Sequence, residues 1–277
     1  MEKGSESGFF LFLIFIFSAF VGAYFSFPGI SFLFLFRVMM LLMLAHYLYN
    51  VIRNGRIIYN KSIKFFYIIP FVWIGYSIIT ILWSNDKLSN IMYNYFVFEA
   101  TFIIIIFTLY VKNEGKLDKV YKLLYYIFLL NMLIGIFEII TGKHLKVIPE
   151  VYKSTWLEFA PFSFFDNVND FASYLTLYLP FVLIYFIKNK KSVVLFIGIF
   201  LTTVYLVIRT SSEVNILICA IQIFIYYFVL RKHLRLDRLY YLPEIFIGIV
   251  VILTIRLSNI AILDEFKEAI SAFTHFL

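Results

Sequence analysis

A single cysteine, Cys219, is all the chain has of that residue, and it lies inside an apolar run. No disulfide framework can form within the chain, and no Cys and His set at metal-ligand spacing appears. Charge is also scarce: 15% of the 277 residues are Asp, Glu, Lys or Arg, whereas a soluble domain carries ~25%. There is no glycine-rich phosphate loop, no nucleophile elbow and no fixed-period repeat. These gaps exclude a soluble enzyme, a disordered tail and a disulfide-stapled secreted domain. The net charge of +7 invites a nucleic-acid surface, a reading that the placement of the charges refutes below.

What the chain has is apolar length. It is 62% hydrophobic. A hydrocarbon core ~30 Å thick needs ~20 apolar residues per helix, so nine spans would take about 180 residues. The apolar runs separate at charged punctuation near 8–27, 30–52, 65–83, 91–111, 120–141, 169–187, 192–208, 213–230 and 239–256. The expected fold is therefore all-α, a single polytopic membrane domain over 1–277 with about nine transmembrane helices. Gly8–Phe25 is uninterrupted, and no small-residue cleavage site follows it; Phe27-Pro28-Gly29 reads as a tight turn into the second span. The bias of 42 Ile and 35 Phe against 10 Ala suits AT-rich codons and a low-GC bacterium.

Lys and Arg orient the spans. With the N-terminus inside, the inner segments carry Lys3; Arg53, Arg56, Lys61 and Lys64; Lys112, Lys116, Lys119 and Lys122; Lys188, Lys190 and Lys191; and Arg231, Lys232, Arg235 and Arg238, 16 in all. The outer segments carry seven: Lys87, Lys143, Lys146, Lys153, Arg209, Arg256 and Lys267. The basic clusters thus mark the cytoplasmic face and do not form a nucleic-acid surface. This topology puts the long loop 142–168 and the tail 257–277 outside. In the tail, Phe266, Ile270, Phe273 and Leu277 recur at helical spacing, the pattern of a short amphipathic helix on the outer interface.

Ionisable groups within spans are expensive and mark candidate functional positions. Arg37 lies about seven residues in from the outer end of its span, ~10 Å deep, and Glu99 about eight residues in, ~12 Å deep. The two match in depth and oppose in sign. They fit a structural ion pair, and they equally fit an outward-facing polar pocket for an anionic or sugar-rich ligand, in which Arg grips phosphate through its planar fork. Glu138 and Arg256, near outer span ends, read as side chains snorkelling to water. Arg209 and Glu213 flank the turn between spans seven and eight. His46 falls in the inner half of span two, and Glu244 at the inner interface. His144 and His275, both outside, read as solvated loop residues.

The segment Phe165-Asp166-Asn167-Val168-Asn169-Asp170-Phe171-Ala172 precedes Leu177-Tyr178-Leu179-Pro180. Asp170 or Asn169 is expected to cap the sixth span. The pattern resembles the F-x-N-x-N-D-x-A-x-x-L and L-x-L-P motifs of the O-antigen ligase and O-antigen polymerase superfamily of bacterial membrane glycosyltransferases. Gly135-Ile136-Phe137-Glu138-Ile139-Ile140-Thr141-Gly142-Lys143-His144-Leu145 is similar to the family's G-x-x-E-x-x-T-G-x-H-L. Arg209-Thr210-Ser211-Ser212-Glu213-Val214-Asn215 resembles its T-S-S-R-A-N turn, with Glu213 where the family has Arg. The resemblance covers about residues 134–220.

The resemblance implies transfer of a glycan from a polyprenyl-diphosphate carrier to an acceptor hydroxyl at the outer face of the bacterial cytoplasmic membrane. The polymers concerned are surface or capsular polysaccharide or O-antigen. The diphosphate is already an activated leaving group, so neither metal nor cofactor is expected. Cationic side chains must hold the charge developing on it; Arg37 and Arg209 are the candidates. Asn167, Asn169 and Asp170 are candidates for orienting sugar hydroxyls, and no residue stands out as the base. The expected partners are the lipid-linked glycan, membrane lipid and other polysaccharide-assembly proteins, with no nucleic acid. Family members continue into a larger outer loop and further spans. With Glu213 at the turn and a stop at Leu277, the expectation is a C-terminally truncated member with weak or absent transfer. A flippase or transporter of lipid-linked oligosaccharide is the alternative, using the same polar cavity without chemistry.

Overall fold

The computed structural model describes residues 3–21, 26–27, 30–55, 64–145, 159–189 and 192–234. Among these residues the chain forms α1 (Lys3–Phe20), β1 (Ser26–Phe27), β2 (Ile30–Phe34), α2 (Leu35–Asn54), α3 (Lys64–Thr80), α4 (Lys87–Tyr110), α5 (Glu114–Thr141), α6 (Val168–Lys188), α7 (Val193–Arg209) and α8 (Glu213–Leu234). The helices α2, α4, α5 and α6 are long and apolar enough to cross a membrane; the other four are apolar over shorter stretches. The distribution of side chains is inverted relative to a water-soluble fold. Ile52, Leu82, Val194 and Ile140 are 75–80% exposed, while Ser18, Asn131, Glu138 and Thr176 are fully buried. Such a surface suits lipid, where every polar group must be satisfied inside the protein. The chain is a helical membrane protein. The expected ninth span, 239–256, and the expected amphipathic tail, 257–277, lie outside the described residues.

Two helix limits correct the reading of apolar runs. The run taken as a span over 30–52 is a helix only from Leu35; Ile30–Phe34 pairs antiparallel with Ser26–Phe27, with Ser26 opposite Phe34 and Phe27 opposite Ile30. A short run rich in Phe and Ile suits a pleated ribbon as well as a helix, and periodicity alone does not separate them. Likewise α1 ends at Phe20, short of 27. Elsewhere helices begin earlier than their apolar runs because capping side chains recruit polar turns. Asp86 accepts from the Ser89 N–H (3.0 Å) and hydroxyl (2.6 Å), which starts α4 at Lys87 and holds the Asp86 carboxyl below its ordinary pKa. Asn113 accepts from the Lys116 N–H at 2.9 Å at the start of α5.

The chain divides into two compact units, Met1–Ile127 and Phe128–Leu277. In the first, α1 packs on α2 and α4, and α3 pairs with α4. Phe12 and Phe15 of α1 are almost wholly buried. Phe15 stacks on Phe36 and meets Phe102 edge-on, and Phe12 stacks on Tyr110. Gly8 makes the approach possible, since a β-carbon there would lie 2.6 Å from His46 Cε1 and 2.8 Å from Tyr110 Cε1. His46 Nδ1 is hydrogen-bonded to the Tyr110 hydroxyl, which keeps both polar tips satisfied between apolar helices.

In the second unit, α6 packs on α7 and α8, and α7 on α8. Pro180 lies inside α6. Its ring nitrogen cannot donate, so the carbonyl four residues earlier, that of Thr176, loses its helical partner. Gln222 of α8 supplies the missing donor, its Nε2 reaching the Thr176 carbonyl at 2.7 Å. A neighbouring helix thus repairs what the proline breaks.

Candidate functional site

Glu138 organises the loop end of the second unit. Its side chain is fully buried. The Phe162 and Ser163 N–H groups donate to Oε2, each at 2.7 Å, and the Leu145 N–H donates to Oε1 at 3.4 Å. His144 Nδ1 stands 3.6 Å from Oε1, with its ring edge-on to Phe162. Glu138 therefore does not snorkel, as its depth alone implies. The segment around Ala160–Ser163 folds back onto α5 and delivers backbone donors to the carboxylate. One face of α5 prepares this seat, since Asn131, Gly135 and Glu138 recur at i, i+4 and i+7. The Ser163 hydroxyl donates to Asn131 Oδ1 at 2.8 Å, which helps pin Ser163 at a φ of 52°. Gly135 leaves room for the returning chain: a β-carbon there would sit 2.9 Å from Phe171 Cζ and 3.3 Å from Pro161 Cβ. His144 is held in this seat and is not a freely solvated loop residue.

Once anchored, the loop delivers Asn167 to the start of α6. Asn167 is the N-cap, and its side chain accepts from the Asn169 N–H at 2.7 Å. The expected cap at Asn169 or Asp170 is corrected to Asn167, because the helix begins at Val168. Both expected caps are exposed. Asp170 lies in the first turn, where the helix dipole favours an anion. Beside this turn, α6 and the α7–α8 turn enclose a groove of about 500 Å³, lined by Asn169, Ser173, Thr176, Leu177, Ser211, Ser212, Glu213, Val214, Asn215 and Ile218.

The floor of the groove is a hydrogen-bonded seam. Asn215 Nδ2 donates to the Ser212 hydroxyl at 2.8 Å and to the Ser173 hydroxyl at 3.2 Å, and its Oδ1 accepts from the Thr176 hydroxyl at 2.9 Å. Ser173 and Ser212 act here as acceptors, which leaves their protons for donation. The rim is apolar and exposed at Leu177 and Val214. Glu213 is an exposed carboxylate at the first position of α8. The groove thus offers a preorganised polar floor beside an apolar edge.

The candidate cations are held differently. Arg37 is buried; its Nε donates to Glu99 Oε1 at 3.1 Å, and its guanidinium lies 4.5 Å from the Phe34 ring centre and 5.0 Å from that of Tyr95. Arg209 ends α7 half-buried. Its Nη2 reaches the Phe159 carbonyl only at 3.5 Å, and its Nε is buried without a hydrogen-bond partner among the described residues. Glu244, Arg256 and His275 lie outside those residues. Among the described residues no group of three or more His, Cys, Asp or Glu side chains converges at metal-binding distance. The seam of Ser173, Thr176, Asn215 and Gln222 escaped the sequence reading. Its signals were Pro180, four residues after Thr176, and the seven-residue spacing of Asn215 and Gln222.

These features define a helical membrane protein with a polar groove bordered by apolar side chains. Comparison with characterised proteins finds similarity to the teichuronic acid biosynthesis protein TuaE of Bacillus subtilis strain 168, 24% identical over 152 residues. The aligned stretch covers 54% of this chain and 31% of that protein, so the chain spans about a third of the relative's length. No family profile and no solved structure matches the chain.

Proposed function

We propose that this chain belongs to the machinery of bacterial cell-wall polysaccharide biosynthesis. On this reading it transfers glycan from a polyprenyl-diphosphate carrier to an acceptor hydroxyl at the outer face of the cytoplasmic membrane, as a polymerase or a ligase. The observation that carries the proposal is the groove at the start of α6 and α8: hydroxyls and carboxamides on its floor suit sugar, and the apolar rim suits a lipid carrier. The distant similarity to a teichuronic acid biosynthesis protein supports the same reading. Arg209 is the proposed diphosphate cation, because among the described residues its Nε has no hydrogen-bond partner and its Nη2 only a 3.5 Å contact, whereas Arg37 is engaged by Glu99. Asn169 and Ser173 orient sugar hydroxyls, and Asn167 and Asp170 shape the turn that presents them. In the transfer, the acceptor oxygen bonds to the anomeric carbon as the bond to the diphosphate oxygen breaks. The diphosphate leaves with that electron pair, and the acceptor proton passes to base or water.

Radiolabelled lipid-linked repeat units in proteoliposomes test this. Chain growth identifies a polymerase and a single transfer a ligase. Arg209→Ala is expected to lower the transfer rate by about 10²–10³-fold, the usual loss when a group holding transition-state charge is removed. Carrier movement across the bilayer with no transfer would overturn the proposal in favour of a flippase.

A further inference from the structure

We propose that the groove is a saccharide subsite for a neutral, hydroxyl-rich sugar residue and that Glu213 turns acidic sugars away. The proposal rests on the glycan-handling reading above and names the substrate class of the same site. Its basis is the charge of the lining. Among the described residues that line the groove, only Glu213 is charged, and it is exposed. The rest of the polar wall consists of hydroxyls and carboxamides. Ser173 and Ser212 each accept from Asn215 and so keep a proton to donate. Asn169, exposed at the rim, offers both a donor and an acceptor.

A sugar hydroxyl both donates and accepts, so it satisfies the serines as acceptor and Glu213 as donor. A uronate carboxylate placed in the groove brings a second negative charge against Glu213, and like charges at contact distance repel. Specificity then comes from repulsion of the wrong ligand as much as from contact with the right one. The volume, about 500 Å³, falls in the usual small-ligand range of roughly 300–1,000 Å³. At the position where the similar family carries Arg, Glu213 on this reading changes which ligand is taken, and the site is kept.

The test uses the full chain in nanodiscs and two free oligosaccharides without diphosphate. One is chitotetraose, which is neutral; the other is the hyaluronan tetrasaccharide, in which an amino sugar alternates with glucuronate. Isothermal titration is expected to give at least about tenfold tighter binding of chitotetraose, an ordinary result of one unfavourable charge contact. Glu213→Gln should narrow the ratio to about threefold or less, and Glu213→Arg should reverse it. Asn169→Ala should weaken chitotetraose without equalising the two ligands. Equal affinities in the unsubstituted protein, no binding of either probe, or a ratio unmoved by Glu213→Arg would each overturn the proposal. Carrier movement without transfer, with the sugar preference intact, would overturn the transfer reading alone.

Discussion

Arg37 and Glu138 are both buried in an apolar setting and are held there by different means. Arg37 has a side-chain counterion on a neighbouring helix and two aromatic faces. Glu138 accepts from backbone N–H groups of a returning loop, with the His144 ring nitrogen 3.6 Å from its Oε1. Removing one member of a buried pair leaves an uncompensated ion and costs about 3–5 kcal/mol. Arg37→Ala should therefore lose more stability than Arg37→Ala with Glu99→Ala together, measured by thermal unfolding in detergent. Equal or additive losses would refute the coupling. The sequence reading held Arg37 open between an ion pair and a ligand cation, because depth in a span says nothing about which helix lies beside it. Glu138 was misread for a related reason. Its donors come from residues 24 and 25 positions later in the chain, and depth alone contains no sign of a loop folding back.

The helices illustrate a second limit. Apolar run length locates a span, but capping chemistry and β-propensity set its ends, as at Asp86 before α4 and Ile30–Phe34 before α2. The α6–α8 seam adds a contact that a run cannot encode, since Gln222 answers a carbonyl freed by Pro180. Interhelical polar contacts of this kind contribute about 0.6–2 kcal/mol in membrane proteins. Gln222→Leu is expected to cost about 1 kcal/mol in the unsubstituted chain. In a Pro180→Ala background the cost should fall close to zero, because alanine, unlike proline, has an N–H to donate to the Thr176 carbonyl. Thermal unfolding of the four proteins checks this, and the same cost in both backgrounds would remove the proposed compensation. Thr176 and Pro180 at i and i+4 were legible in the sequence; the identity of the helix that completes them was not.

For the molecule as a whole, the unequal distribution of Lys and Arg predicts an orientation that labelling can check. In a Cys219→Ser background, a cysteine replacing Lys153 should react with an impermeant maleimide on intact cells. One replacing Lys190 should react only after permeabilisation. The reverse pattern would invert the topology and carry the groove to the cytoplasmic face. That the chain belongs in a membrane was legible from composition, because lipid imposes long apolar runs whatever the packing. The groove was legible only in fragments, as Asn169 in one motif and Glu213 and Asn215 in another, since a groove requires two distant segments to meet. The contact between Gln222 and Thr176 also has a consequence in time. The two residues are 46 positions apart, so at ribosomal speeds of roughly 5–20 residues per second α6 emerges about 2–9 s before its partner. Throughout that interval the proline-freed carbonyl of α6 has no donor from α8. Until α8 arrives, this carbonyl has to draw on water, a nearby side chain or a local adjustment of its own helix.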